Sequence, residues 1–192
     1  MLRKTLVSAL VAACSLVGAV SAAAVAQADP GDTNTYRILS AATYSDRNQY
    51  VADVRRIDFW PGTPVIAYKD KATNNSNQRW YLPSKQSTLP YKTEIKTYGR
   101  YEGVNLCLDD VQDGDARVAR VVNCTEQPQQ QWEVRSRGGQ GVVEIRALDA
   151  GGQGRGCLTV VSPGNENIAL NVSSCLNSNE LQAWFVQQKP VS

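Results

Sequence analysis

The chain has 192 residues, 42% of them apolar and 20% charged, with five Cys, no His and a single Met. Without His there is no Ser-His-Asp or Cys-His nucleophile pair, no imidazole general base and no His-ligated zinc or copper. The apolar content is that of an ordinary globular chain and excludes wholesale disorder, and the length suits one domain or two small ones.

The first predicted element is a leader. Arg3 and Lys4 precede an uncharged, mostly apolar run from Thr5 to Val25, and Ala26-Gln27-Ala28 closes it with a small-x-small pattern. This predicts a secretory signal peptide over residues 1–28, cleaved near Ala28, and a secreted mature chain 29–192. The run is long enough to span a membrane, but Ala and Gly dilute it and no positive charge follows. Val11-Ala12-Ala13-Cys14 fits a lipobox; a lipid there would leave a dozen small and apolar residues at the mature N-terminus, which argues against it.

Cleavage removes Arg3 and Lys4 and leaves 18 Lys and Arg against 18 Asp and Glu. The balanced charge offers no basic surface to nucleic acid or membrane, and no membrane span is expected in the mature chain. Cys107, Cys124, Cys157 and Cys175 then read as two disulfides in an oxidising compartment. Three pairings are open; separations of 17 and 18 favour Cys107–Cys124 and Cys157–Cys175. Each closed loop stabilises the fold by about 3 kcal/mol on the chain-entropy account. No C-x-x-C spacing is present, so no metal site is expected, and no cofactor motif is found.

Within the mature chain, β-rich stretches at 50–54, 64–68, 117–122 and 167–172 alternate with turn chemistry at Pro61-Gly62, Asp113-Gly114, Gly151-Gly152 and Pro163-Gly164-Asn165. No segment holds a 3.6-residue apolar period beyond a turn or two, which predicts an all-β fold. Three Trp recur at intervals of 52 and 52 residues, each two positions after a Gln: Gln78-Arg79-Trp80, Gln130-Gln131-Trp132 and Gln182-Ala183-Trp184. The Cys pairs keep the same period. A single domain of three units, at about 33–84, 85–136 and 137–188, follows. Three copies must close on one another rather than stack as an open solenoid. Positions two apart on a strand face one way, so each Gln and Trp is expected to point inward as core, with the Gln amide tying backbone groups.

Three Gln-x-Trp units in an all-β chain with periodic Cys-Leu pairs resemble the ricin B-chain type of lectin, grouped with the carbohydrate-binding modules of bacterial xylanases. The resemblance covers about Tyr36 to Val186 and implies a β-trefoil of three pseudo-equivalent repeats, four strands each. It also implies sugar binding by an Asp two residues after the first Cys position, an aromatic two before the second, and an Asn just before Gln-x-Trp. In the first unit these are Asp53, Tyr68 and Asn77, with Ile66 where a Gln often sits beside the platform. The second keeps Asp109 but has Val122 as platform and Gln129 in place of Asn. The third has Thr159, Ser173 and Leu181, and no site of this type is expected there. Eleven of fourteen mature-chain aromatics fall between residues 29 and 101, which independently weights the first unit. Either they serve binding or they replace the disulfide that unit lacks. Trp60, in Phe59-Trp60-Pro61-Gly62, is either an exposed contact or a cap tucked under the barrel.

Asp53/Asp58 and Asp109/Asp110 make poor glycosidase pairs without a cleft. The Asp109–Asp115 run does not keep EF-hand spacing, because Arg120 stands where the bidentate Glu belongs. Asn74, Asn123 and Asn171 open glycosylation sequons. The expected function is a secreted, non-enzymatic lectin that binds a glycan chiefly through the first unit. The rival is a protein-interaction trefoil with degenerate sugar sites, an inhibitor or toxin-complex subunit with a secreted protein partner.

Overall fold

Short stretches that alternate β-branched or aromatic residues with polar ones, bounded by Gly, Pro and Asn, fold as strands. The computed structural model describes residues 34–42, 49–71 and 75–190; the leader expected at 1–28 lies outside them, as does Asn74. The first unit holds β1 (Asn34–Ser40), β2 (Tyr50–Val54), β3 (Thr63–Lys69) and β4 (Trp80–Tyr81). The second holds β5 (Tyr91–Thr93) and β6 (Lys96–Tyr101), two halves of one broken first strand, then β7 (Val104–Asp113), β8 (Ala116–Asn123) and β9 (Trp132–Ser136). The third holds β10 (Val143–Leu148), β11 (Gly154–Thr159), β12 (Asn171–Ser173) and β13 (Trp184–Pro190).

The first and fourth strands of the units form a closed ring. β4 pairs with β1 and β6, β9 with β5 and β10, and β13 with β10 and β1. The β1–β13 seam is the longest of these, from Asn34↔Pro190 to Ser40↔Trp184. Each repeat Trp sits between two first strands: Trp80 opposite Tyr36 and Thr97, Trp132 opposite Thr93 and Ala147, Trp184 opposite Val143 and Ser40. The hairpins β2–β3, β7–β8 and β11–β12 cap one end, joined through Pro64↔Arg120, Val118↔Asn171 and Ile66↔Ala169. This is the β-trefoil.

The three indoles are wholly buried in one apolar cluster with Ile38, Leu82, Ile95, Leu108, Ile145 and Leu158. Each indole N–H donates to a backbone carbonyl of its own unit's hairpin: Trp80 to Ala52, Trp132 to Leu108 and Trp184 to Leu158, at 2.9–3.0 Å. The Gln of each triplet behaves differently from the strand expectation. Gln78, Gln130 and Gln182 end single 3-10 turns (Ser76–Gln78, Pro128–Gln130, Glu180–Gln182) that lead into the Trp strand. Gln and Trp are both buried, but because the Gln precedes the strand its amide turns back to the hairpin while the indole enters the barrel.

Both disulfides form as the spacing favoured, Cys107–Cys124 and Cys157–Cys175, each with Cα atoms 5.0 Å apart. In the first unit Val51 and Asp70 hold the equivalent places. Both carboxylate oxygens of Asp70 accept from Nη1 of the buried Arg37 of β1, at 2.6 and 2.8 Å. A charge-assisted ion pair to β1, one Arg37 nitrogen shared between the two oxygens, therefore stands where the other units have a covalent bridge. Among the described residues no helix is long and apolar enough to cross a membrane.

Candidate functional site

The hairpin registers define equivalent positions without reference to any relative. Val51↔Tyr68, Cys107↔Val122 and Cys157↔Ser173 face one another, and two residues on come Asp53↔Ile66, Asp109↔Arg120 and Thr159↔Asn171. Opposed residues of an antiparallel pair and residues two apart share a face, so Asp53 and Tyr68 are diagonal neighbours on one face of β2–β3.

The first unit assembles all three expected groups. Asn77 Nδ2 donates to Asp53 Oδ1 at 2.7 Å, and Gln78 Nε2 donates to Asp53 Oδ2 at 2.8 Å. Gln78 also donates to the Lys69 carbonyl and accepts from the Lys71 amide, which ties the end of β3 to the turn carrying Asn77. The carboxylate is almost wholly buried. Its pKa rises to about 6: burial raises it, and the Gln78 bond, Lys71 and the Asn77 bond only partly offset that. Tyr68 is half-buried, leaving ring surface at the rim.

One participant carries no sequence signal. The Lys71 ammonium lies 4.0 Å from Asp53 Oδ2 and 5.0 Å from the centre of the Tyr68 ring, over its face. A cation of the chain itself thus fills the space between acceptor and platform. Its side chain is 37% exposed, so the flexible stem has solvent to move into. Its placement depends on where β3 ends, which no spacing rule reports.

The second unit keeps half of the arrangement. Gln130 Nε2 donates to Asp109 Oδ2 at 3.1 Å and to the Asn123 carbonyl, and Gln130 Oε1 accepts from Thr125. Gln129 is half-buried, and among the described residues it forms no hydrogen bond to Asp109. Val122 offers an aliphatic platform only. Burial also pushes the Asp109 carboxyl above its usual range, against the Gln130 bond. The neighbouring Asp110 is buried and accepts from Arg117 and Arg155, which makes it a brace between second and third units.

The third unit is closed. Thr159 Oγ1 and Ser173 Oγ lie 2.8 Å apart, and Gln182 Nε2 donates to both hydroxyls and to the Ser174 carbonyl. Acceptor and platform positions satisfy each other, with no aromatic and no charge. Glu144, Cys157 and Cys175 bring their ligand atoms within 4.8 Å of one another, but both sulfurs are spent in the disulfide.

Trp60 lies outside these positions. It is 61% exposed, its ring centre 4.9 Å from that of Tyr101. Of the two placements open to it in the sequence, it takes the exposed one.

Comparison with curated proteins finds no match. Among solved structures the chain is similar to the designed three-fold symmetric protein ThreeFoil, with a TM-score of 0.58 and 17% identity, over 80% of this chain and 97% of that one. It is similar to a mosquitocidal holotoxin, with a TM-score of 0.59 and 22% identity, over 81% of this chain but 17% of that one. It is also similar to the Polyporus squamosus lectin bound to a human-type influenza-binding epitope, with a TM-score of 0.56 and 16% identity, over 80% of this chain and 48% of that one. At these identities the likeness is one of fold. The family described as the ricin-type beta-trefoil lectin domain matches residues 41–184. With that match over well more than half its length, the chain belongs to the ricin-type β-trefoil lectin domains, a carbohydrate-binding family.

Proposed function

We propose that this protein is a secreted, non-enzymatic lectin that holds its glycan chiefly at the first unit, between Asp53, Asn77 and Tyr68. The observation that carries this reading is the direct Asn77–Asp53 bond on the face shared with Tyr68, an arrangement the other two units lack. A pyranose has a wet edge and a comparatively dry C–H face. A carboxylate with two oxygens, each already oriented by one amide, retains lone pairs for vicinal hydroxyls, and the Tyr68 ring takes the dry face. The sugar must first displace Lys71 from that ring. Secretion is supported by the leader pattern and by the two disulfides.

One shallow site with a single stacking face and solvent-competed hydrogen bonds binds a lone sugar weakly, so clustered or polymeric glycans are the relevant ligands. Calorimetric titration against a glycan panel tests this. Asp53→Ala and Tyr68→Ala, each checked for retained fold by circular dichroism, are expected to lower affinity by about tenfold or more. Binding undiminished in both variants refutes the first-unit assignment. The closure of the third unit and the loss of the second unit's platform favour a second reading, a protein-interaction trefoil. Failure to bind any glycan, together with co-purification of a secreted protein, selects it.

A further inference from the structure

The most exposed large apolar side chain among the described residues is Trp60, and the chain invests considerable structure in holding it still. Its carbonyl accepts from the Thr63 amide at 3.0 Å, and the Gly62 amide donates across to the Val121 carbonyl at 2.7 Å. The Arg120 guanidinium donates to the Gly62 carbonyl at 2.9 Å and is itself anchored on Asp113. Gly62 has φ +95°, which an L side chain would resist. Beneath the turn, Phe59 packs against the core and lies so close to Gly99 that a methyl group there would fall inside its ring. Tyr101, also packed against the core, tilts at 49° to the indole.

Hydrophobic burial does not explain an indole left mostly in water on a turn whose backbone is tied down and whose ring rests against Tyr101. A rigid aromatic face presented to solvent does. We infer that Trp60, backed by Tyr101, is a second carbohydrate platform that stacks on a further sugar of a chain whose first residue occupies the Asp53 site. This inference rests on the proposed lectin reading and makes the ligand an oligosaccharide or polysaccharide rather than a single sugar. The two places belong to one surface region. The 3-10 turn Arg55–Ile57 follows Val54, whose carbonyl accepts from Asn77, and packs against the turn Ser76–Gln78. Arg56, Asp58 and Glu102, all exposed, flank the two rings along the chain. They supply charged hydrogen-bonding groups of the kind sugar hydroxyls need and a dry protein interface avoids. Because the turn backbone is tied and the ring rests against Tyr101, less conformational freedom is lost on stacking than for an indole on a free loop.

The test uses the mature chain and an array of plant and bacterial glycans, each presented as monosaccharide, tetrasaccharide and polymer. Trp60→Ala is expected to leave monosaccharide affinity within twofold and to weaken tetrasaccharide and polymer binding by roughly tenfold; Tyr101→Ala should fall between. Asp53→Ala should weaken all three lengths. Because the other three Trp are fully buried, iodide quenching of the native chain reports Trp60, and tetrasaccharide should protect it. Length-independent loss in Asp53→Ala with unchanged Trp60 affinity and quenching overturns the platform and leaves the first-unit reading intact. Loss in Trp60→Ala alone leaves Trp60 as a sugar contact but overturns both its link to the Asp53 site and the first-unit reading. A native chain that binds no member of the array, or a Trp60→Ala change that abolishes self-association on gel filtration instead, overturns the inference.

Discussion

A buried carboxylate with a pKa near 6 makes Asp53 a sensor of mild acid. The ionised form is the one that accepts hydroxyl protons, so sugar affinity should fall as pH drops through about 6, with Lys71 on one side and Glu166 nearby setting the local field. Titrations between pH 8 and 4.5 check this; Asp53→Asn should flatten the profile as well as lower affinity, and an unchanged slope in that variant assigns the pH dependence elsewhere. Stability runs the other way. The folded value lies above the unfolded one, so the native state holds this proton more tightly, and the contribution of Asp53 to stability improves as pH falls from about 6 to 4. At this scale the sequence was informative where spacing follows strand register: Asp53 and Tyr68 share a face because β2 and β3 pair without a bulge, and Asn77 reaches Asp53 from the turn that leads into the Trp80 strand. Lys71 was invisible because a long side chain beyond a strand end obeys no periodicity.

At the level of elements, the turn that displays Trp60 depends on a void in β6. Gly99→Ala would drive a methyl into the Phe59 ring, and overpacking of this kind costs about 1–3 kcal/mol. Thermal denaturation should register that loss, and iodide should reach Trp60 more readily if Phe59 shifts the turn above it. A melting curve matching the native one would show that Phe59 repacks freely. The 3-10 turns before each Trp illustrate what a strand-based reading omits. One turn is too short to leave a period, so Gln78, Gln130 and Gln182 read as strand residues, whereas their amides serve as clasps between hairpin and barrel. The Arg37–Asp70 pair was equally hidden, since its partners lie 33 residues apart and ion pairs carry no spacing rule.

For the whole molecule, three copies of one clasp in one core permit an internal comparison. Gln78→Ala leaves Asp53 buried with one of its two amide partners gone; Gln130→Ala takes from Asp109 the amide that bonds it, with Arg117 and Arg155 still in its field; Gln182→Ala leaves two hydroxyls that still bond each other. An unsatisfied buried charge costs more than an unsatisfied neutral group, so destabilisation in urea should be larger for Gln78→Ala and Gln130→Ala than for Gln182→Ala. Equal losses would mean that the backbone bonds, common to all three, dominate. The repeat itself was plain in the sequence, because the 52-residue Trp interval is the ring's own symmetry; the sequence also told the copies apart by type of residue, whereas the Lys71 contact and the Thr159–Ser173–Gln182 closure emerged only in three dimensions. The β1–β13 seam adds a temporal consequence. Ser40 and Trp184 stand far apart in the sequence, so the ring stays open along this flank until β13 is in place. Until then the edges of β1 and β10 that β13 covers are open to pairing with other chains.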